Sequence, residues 1–98
     1  MGYATASHWV TTEWSDELEA IARDKFVPLI MGCGATGVQM IRTGEYHFTV
    51  ITNYTDEDSA MAAQAKIAEI RSKAADELPM TMDSASGGEI FASGIAAP

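Results

Sequence analysis

Few residues in this chain are of a type that does chemistry. His8 and His47 are its two histidines. Imidazole is the usual general base near neutral pH and a common haem ligand, so these two are the candidate catalytic residues. Both fall in stretches that read as strands. If those strands pair antiparallel near their midpoints, His8 lies near Val50 and His47 near Thr11. Parity groups His8 with Val10 and Trp14, and His47 with Thr49 and Ile51. It leaves open whether the two groups share a face. The competing reading of each is a hydrogen-bonded histidine inside a subunit interface. Cys33 is the lone cysteine. A single thiol closes no intrachain disulfide and makes no zinc site. In Gly32-Cys33-Gly34, at the end of an apolar run, it reads as a small buried hydrophobe.

Two cations stand out. On an ideal helix Lys25 falls between Ile21 and Leu29, within the apolar stripe. Such lysines usually reach water along their stems, but Lys25 can also pair with a carboxylate ligand. Arg42, just before a hairpin, is a similar anchor. The carboxylates do not form a metal set, because Asp16, Glu17, Asp56, Glu57 and Asp58 sit at two helix starts. There the positive end of the helix dipole favours anions, and these side chains fan out around a first turn. The glycine pairs lead into strands rather than helices, so no phosphate-cradling loop is present. No cofactor and no metal are expected.

These residues must be positioned by a repeated unit. The run Trp14–Ala22 and the run Tyr54–Ala62 share one pattern, 40 residues apart: aromatic, hydroxyl, Asp, Glu, two variable places, Ala, apolar, Ala. Ser15 and Thr55 are the N-cap candidates, and Thr55 with Asp58 approximates a capping box. Each cap follows an extended stretch, residues 4–14 and 45–54. The first helix is expected over 16–31 with a kink at Pro28. The second is expected over 57–78, ending at Pro79, with a seam of Ala60, Ala63, Ile67, Ile70, Ala74 and Leu78. A strand is expected over 38–42 and another over 89–93, opened by Gly87-Gly88. Thr43-Gly44 marks the hairpin between the second and third strands. The order is strand, helix, strand, strand, helix, strand over one domain, residues 1–98. That is the α+β ferredoxin-like pattern: a four-stranded antiparallel sheet of order 4-1-3-2 with both helices on one face.

Composition narrows the partners. Of 98 residues, 14 are acidic and six are Lys or Arg, for a net charge of −8. Six scattered bases make no patch for nucleic acid, and the charge opposes docking on anionic membranes. No apolar run approaches the ~20 residues of a membrane span, and the N-terminus lacks a basic region followed by an apolar stretch. A cytoplasmic protein is the expectation. Apolar residues make up 47%, but 16 of them are alanine, a thin core for so small a domain. Apolar residues also occur on both faces of the expected strands: Val38 and Met40 against Ile41, Tyr46, Phe48 and Val50 against Ile51, Trp9 against Val10, and Ile90 against Phe91. A face left to water should be polar at every second place. A second copy packed on the open face is the simplest remedy.

In element order, size and two-sided strands the chain resembles the dimeric α/β barrel superfamily, and within it the antibiotic-biosynthesis-monooxygenase-like proteins. The resemblance covers nearly the whole chain and is one of pattern, without a catalytic signature. It implies a homodimer formed through the sheets and a cavity between sheet and helices in each subunit. It implies activities ranging from cofactor-free oxygenation and haem degradation to lactone isomerisation and plain ligand binding.

The expected function is therefore a dimeric protein holding a small apolar ligand, fatty-acyl or aromatic, between sheet and helices. The alanine-rich second helix and the adaptable methionines leave room for one. Lys25, Phe26, Met40, Arg42, Phe48 and Met61 are its candidate ligand-binding residues. The alternative is a cofactor-free monooxygenase or isomerase with His8 or His47 as base, which needs an imidazole inside the cavity. The tail, residues 94–98, is small and expected to fray.

Overall fold

The structure, a computed structural model, describes residues 2–94. Strand β1 (Tyr3–Thr11) alternates, with Ser7, Trp9 and Thr11 buried. Ser15 then caps the first helix as expected, its hydroxyl accepting from the Leu18 N–H at 3.1 Å. This helix, α1, is α-helical over Asp16–Ile21 and over Val27–Met31. Between them, Ala22–Phe26 forms a π-helical turn in which the Val27 N–H donates to the Ala22 carbonyl, five residues back. The expected kink at Pro28 is therefore replaced by a wider turn just upstream. Pro28 has no N–H for the carbonyl of Asp24, and the extra residue absorbs the mismatch.

Gly34, at φ 99°, turns the chain out of α1. Strand β2 (Gly37–Gly44) and strand β3 (His47–Tyr54) form a hairpin. Its turn is Glu45-Tyr46 rather than Thr43-Gly44, because the register slips between Arg42 and Gly44. The second helix, α2, spans Glu57–Glu77. Its cap is Asp56, not Thr55: the Asp56 carboxylate accepts from the Ser59 N–H at 2.8 Å. A carboxylate competes well for that N–H and gains from the helix dipole.

Strand β4 is Met80–Glu89, directly after Pro79. The expected strand over 89–93 is thus displaced, and Gly87-Gly88 lies inside β4 instead of opening it. Its sequence, Met-Thr-Met-Asp-Ser-Ala-Ser-Gly-Gly-Glu, lacks the apolar alternation of a half-buried strand. As an edge strand it pairs with β1 alone. Gly87 answers a close approach, since a Cβ there would stand 3.1 Å from Tyr3 Oη and 3.1 Å from Thr5 Cγ2.

The sheet order is β2-β3-β1-β4, antiparallel throughout, which is the ferredoxin-like arrangement. Residues paired across strands share a face. Trp9, Phe48, Val50 and Tyr54 turn toward the helices and pack with Leu18, Phe26, Ile30, Ala60, Ala63 and Ile67. The open face carries His8, Val10, His47, Thr49, Ile51 and Ile41. Apolar residues on both faces hold for β1 to β3. On β4 the open face is Thr81, Ser84, Ser86 and Gly88. Ile90 and Phe91 lie beyond β4, and Phe91 is 91% exposed. Trp14, expected beside His8, instead lies past the end of β1 and packs edge-on against Phe48. Of the tail, residues 95–98 lie outside the described residues.

Candidate functional site

Two hollows lie back to back across the sheet. The larger runs between sheet and helices. It has an outer mouth of about 400 Å³ and an inner slot of about 60 Å³. Ala22, Met40, Phe48 and Met80 line both parts, which therefore adjoin. The π-helical turn supplies Ala22 and Arg23 to the mouth, and Ala22 and Phe26 to the slot.

An aromatic wall runs from mouth to slot. The Trp9 and Phe48 rings stack with centroids 6.0 Å apart and planes 8° from parallel. Trp14 meets Phe48 edge-on, also at 6.0 Å. The Arg42 guanidinium covers the other face of this group, 4.2 Å from the centre of the Trp14 ring. It is pinned there by donating through Nη2 to the Glu45 carbonyl at 2.8 Å and through Nε to the Gly44 carbonyl. Each indole N–H is satisfied: Trp9 Nε1 donates to Ser7 Oγ at 2.9 Å and Trp14 Nε1 to Glu19 Oε2 at 2.6 Å. The charged residues at the mouth are Glu19, Arg23 and Arg42, of which Arg23 pairs with Asp24.

The inner end of the slot is polar. Thr5, Thr52, Tyr54 and Arg71 meet there. Burial pushes the Tyr54 phenol above its usual value; the Cys33 thiol adds to the rise and the Arg71 cation opposes it. Arg71 is half-buried, and among the described residues it has no hydrogen-bond or ion-pair partner.

The second hollow, about 340 Å³, is shallow and lies on the open face. It joins His8, His47, Thr43, Asp83 and Ser84. A hydrogen bond of 2.9 Å links His8 Nδ1 and Thr49 Oγ1. His8 pairs with Thr49 and His47 with Val10, so the imidazoles are diagonal neighbours. Asp83 stands where the β1–β4 register slips. Among the described residues no group of three His, Cys, Asp or Glu side chains is placed to hold a metal.

The candidate residues therefore divide. Phe26, Met40, Arg42 and Phe48 line the helix-side cavity. Lys25 does not, because it turns outward to pair with Glu77 and lies over the Phe26 ring, 5.5 Å from its centre. Met61 is 55% exposed and borders a separate surface dip. His8 and His47 share a hollow, but the sheet separates them from the slot. Arg71 is the residue that sequence reasoning passed over. Its signal was available: it stands four after Ile67 and three before Ala74, a cation within the apolar seam of α2.

The fold is ferredoxin-like, and it is similar to that of solved structures that include a dimeric ferredoxin-like protein and two oxygenases. SnoaB, a cofactor-independent oxygenase from Streptomyces nogalater, superposes with a TM-score of 0.71 at 13% identity, covering 94% of this chain and 95% of that one. A dimeric ferredoxin-like protein from an uncultured marine organism matches with a TM-score of 0.69 at 10% identity, over 98% and 100% of the two chains. The ActVA-Orf6 monooxygenase of Streptomyces coelicolor, in complex with nanaomycin D, matches with a TM-score of 0.64 at 15% identity, over 99% and 92%. No family model and no curated protein matches the chain. No helix of the described residues is long and apolar enough to cross a membrane.

Proposed function

We propose that this chain is a homodimer that holds a small apolar ligand, a flat aromatic or a fatty-acyl chain, between sheet and helices. The observation that carries the reading is the stacked Trp9–Phe48 wall, which continues from the mouth into the slot. The slot alone has room for little more than water. Joined to its mouth, it falls within the range of small-molecule sites, about 300–1,000 Å³. A π-helical turn at the cavity wall fits a ligand site, since such turns often mark functional positions. ActVA-Orf6, of like fold, is described with a bound ligand. Self-association is supported by the dimeric neighbour and by the open face, where Val10, Ile41 and Ile51 face outward. A second chain there would cover the histidine hollow.

A cofactor-free oxygenase or isomerase is the second reading, favoured by the likeness to SnoaB. With His8 or His47 as base it requires a substrate in the open-face hollow, because within one chain neither imidazole reaches the slot. Native mass spectrometry of the purified protein tests the main reading. A particle of twice the 10.5 kDa chain mass, carrying an extra small-molecule mass, is the expected result. A lone chain with nothing bound counts against both parts.

A further inference from the structure

We infer that Arg71 makes the inner end of the slot a subsite for a carboxylate, so that the ligand is an acid with a flat apolar body. This deepens the ligand-holding reading above and rests on it. The chain has three arginines and a net charge of −8, yet all three line the helix-side cavity, Arg23 and Arg42 at the mouth and Arg71 at the inner end. Among the described residues only the inner one has no hydrogen-bond or ion-pair partner. Arg23 is paired through Nε with Asp24, and Arg42 donates through Nε and Nη2 to two backbone carbonyls and lies over the Trp14 ring.

Arg71 projects from the inward side of α2, between Ile67 and Ala74, both buried. It lines the slot and also the surface dip by Tyr3 and Gln64. A partly buried guanidinium with no acceptor among the described residues loses hydration without return. A carboxylate restores it, and the planar fork matches two carboxylate oxygens. Thr5, Thr52 and Tyr54 border the same end and add hydroxyl donors. The stacked rings of Trp9 and Phe48 form the wall for the body of the ligand, whose planar face they suit. The acidic exterior repels anions at long range, so the preference has to be supplied locally by this one cation.

The test uses a matched pair of probes, 2-naphthoate and the uncharged 2-naphthamide, titrated calorimetrically into the protein at pH 7. The wild type is expected to bind the naphthoate about tenfold or more tightly than the amide, the usual worth of a charged hydrogen bond. Arg71→Met should abolish that preference. Arg71→Lys should keep part of it, and Lys66→Met, an exposed cation of α2 outside the cavity, all of it. Equal binding of both probes by the wild type, or a preference that survives Arg71→Met, overturns the subsite while the cavity reading stands. Failure of the wild type to bind either probe overturns the cavity reading and the subsite together. Because the wild-type comparison is decisive alone, a variant that fails to fold does not protect the proposal.

Discussion

The Arg42 guanidinium lies over the Trp14 ring, 4.2 Å from guanidinium carbon to ring centre, although the two are 28 positions apart in the chain. The contact joins the end of β2 to the loop before α1 across the cavity mouth. In a double-mutant cycle of Arg42→Met and Trp14→Leu, the coupling read from urea unfolding should be about 0.5–1 kcal/mol. A coupling of zero would mean that the two side chains touch without stabilising each other.

The open face predicts the assembly. Ile51 is half-buried there, between Ala6 of β1 and Gln39 of β2. Ile51→Asp should convert a dimer to single chains in sedimentation velocity, since an unpaired carboxylate in an interface is costly. Met61→Asp, on the outer side of α2, should leave the mass unchanged. If both variants sediment as the wild type does, the sheet face is not where the copies meet.

Thr11 is 3% exposed, and its Oγ1 has no partner among the described residues. Removing an unsatisfied buried hydroxyl while keeping the shape should help. Thr11→Val is expected to raise the unfolding free energy by up to about 1 kcal/mol. A loss of that size in chemical denaturation would instead show that the hydroxyl is bonded in solution.

Two carboxylates make the fold acid-sensitive. The Ser59 backbone N–H holds Asp56 below its ordinary value of 3.8, and the Lys25 ammonium holds Glu77 below 4.5. Each folded-state value is depressed, so each contributes stability above its ordinary value and loses it as pH falls through the depressed one. Urea midpoints should be level from neutral pH down to roughly pH 5 and then decline. Asp56→Asn keeps a cap that does not titrate. It should make the decline shallower, and an unchanged slope would remove Asp56 from the account.

Gly34 and Gly88 offer a controlled pair. A Cβ on either meets nothing within 4 Å, but only Gly34 has positive φ, at 99°. Gly34→Ala should therefore lower stability by about 1 kcal/mol or more through the backbone alone. Gly88→Ala should change the thermal midpoint little. Equal effects would mean that the left-handed turn is not what Gly34 provides.

Much of this architecture is legible in the residues. Alternation in β1 and β3, the Ser15 cap and the seam of α2 with its stop at Pro79 together yield the element order and the sheet order. What escapes reading has physical causes. β4 hides because an exposed edge strand needs no apolar period, and its glycines look like a boundary. The π-helical turn hides because Pro28 announces a disturbance without saying how the chain absorbs it. Of the candidate ligand-binding residues, Phe26, Met40, Arg42 and Phe48 line the helix-side cavity, while Lys25 and Met61 lie outside it. A rotation about the helix axis of one residue's step decides between slot and solvent. The faces of His8 and His47 stayed open until pairing of β1 with β3 was known.

One strand serves both hollows. Phe48 and Val50 of β3 furnish the slot, while His47, Thr49 and Ile51 furnish the opposite side. A single-residue insertion or deletion within β3 would exchange the two sets, sending imidazole toward the greasy chamber and benzyl toward the neighbouring copy. The segment is thus doubly encoded, and a change of length there would disturb both sides of the sheet at once.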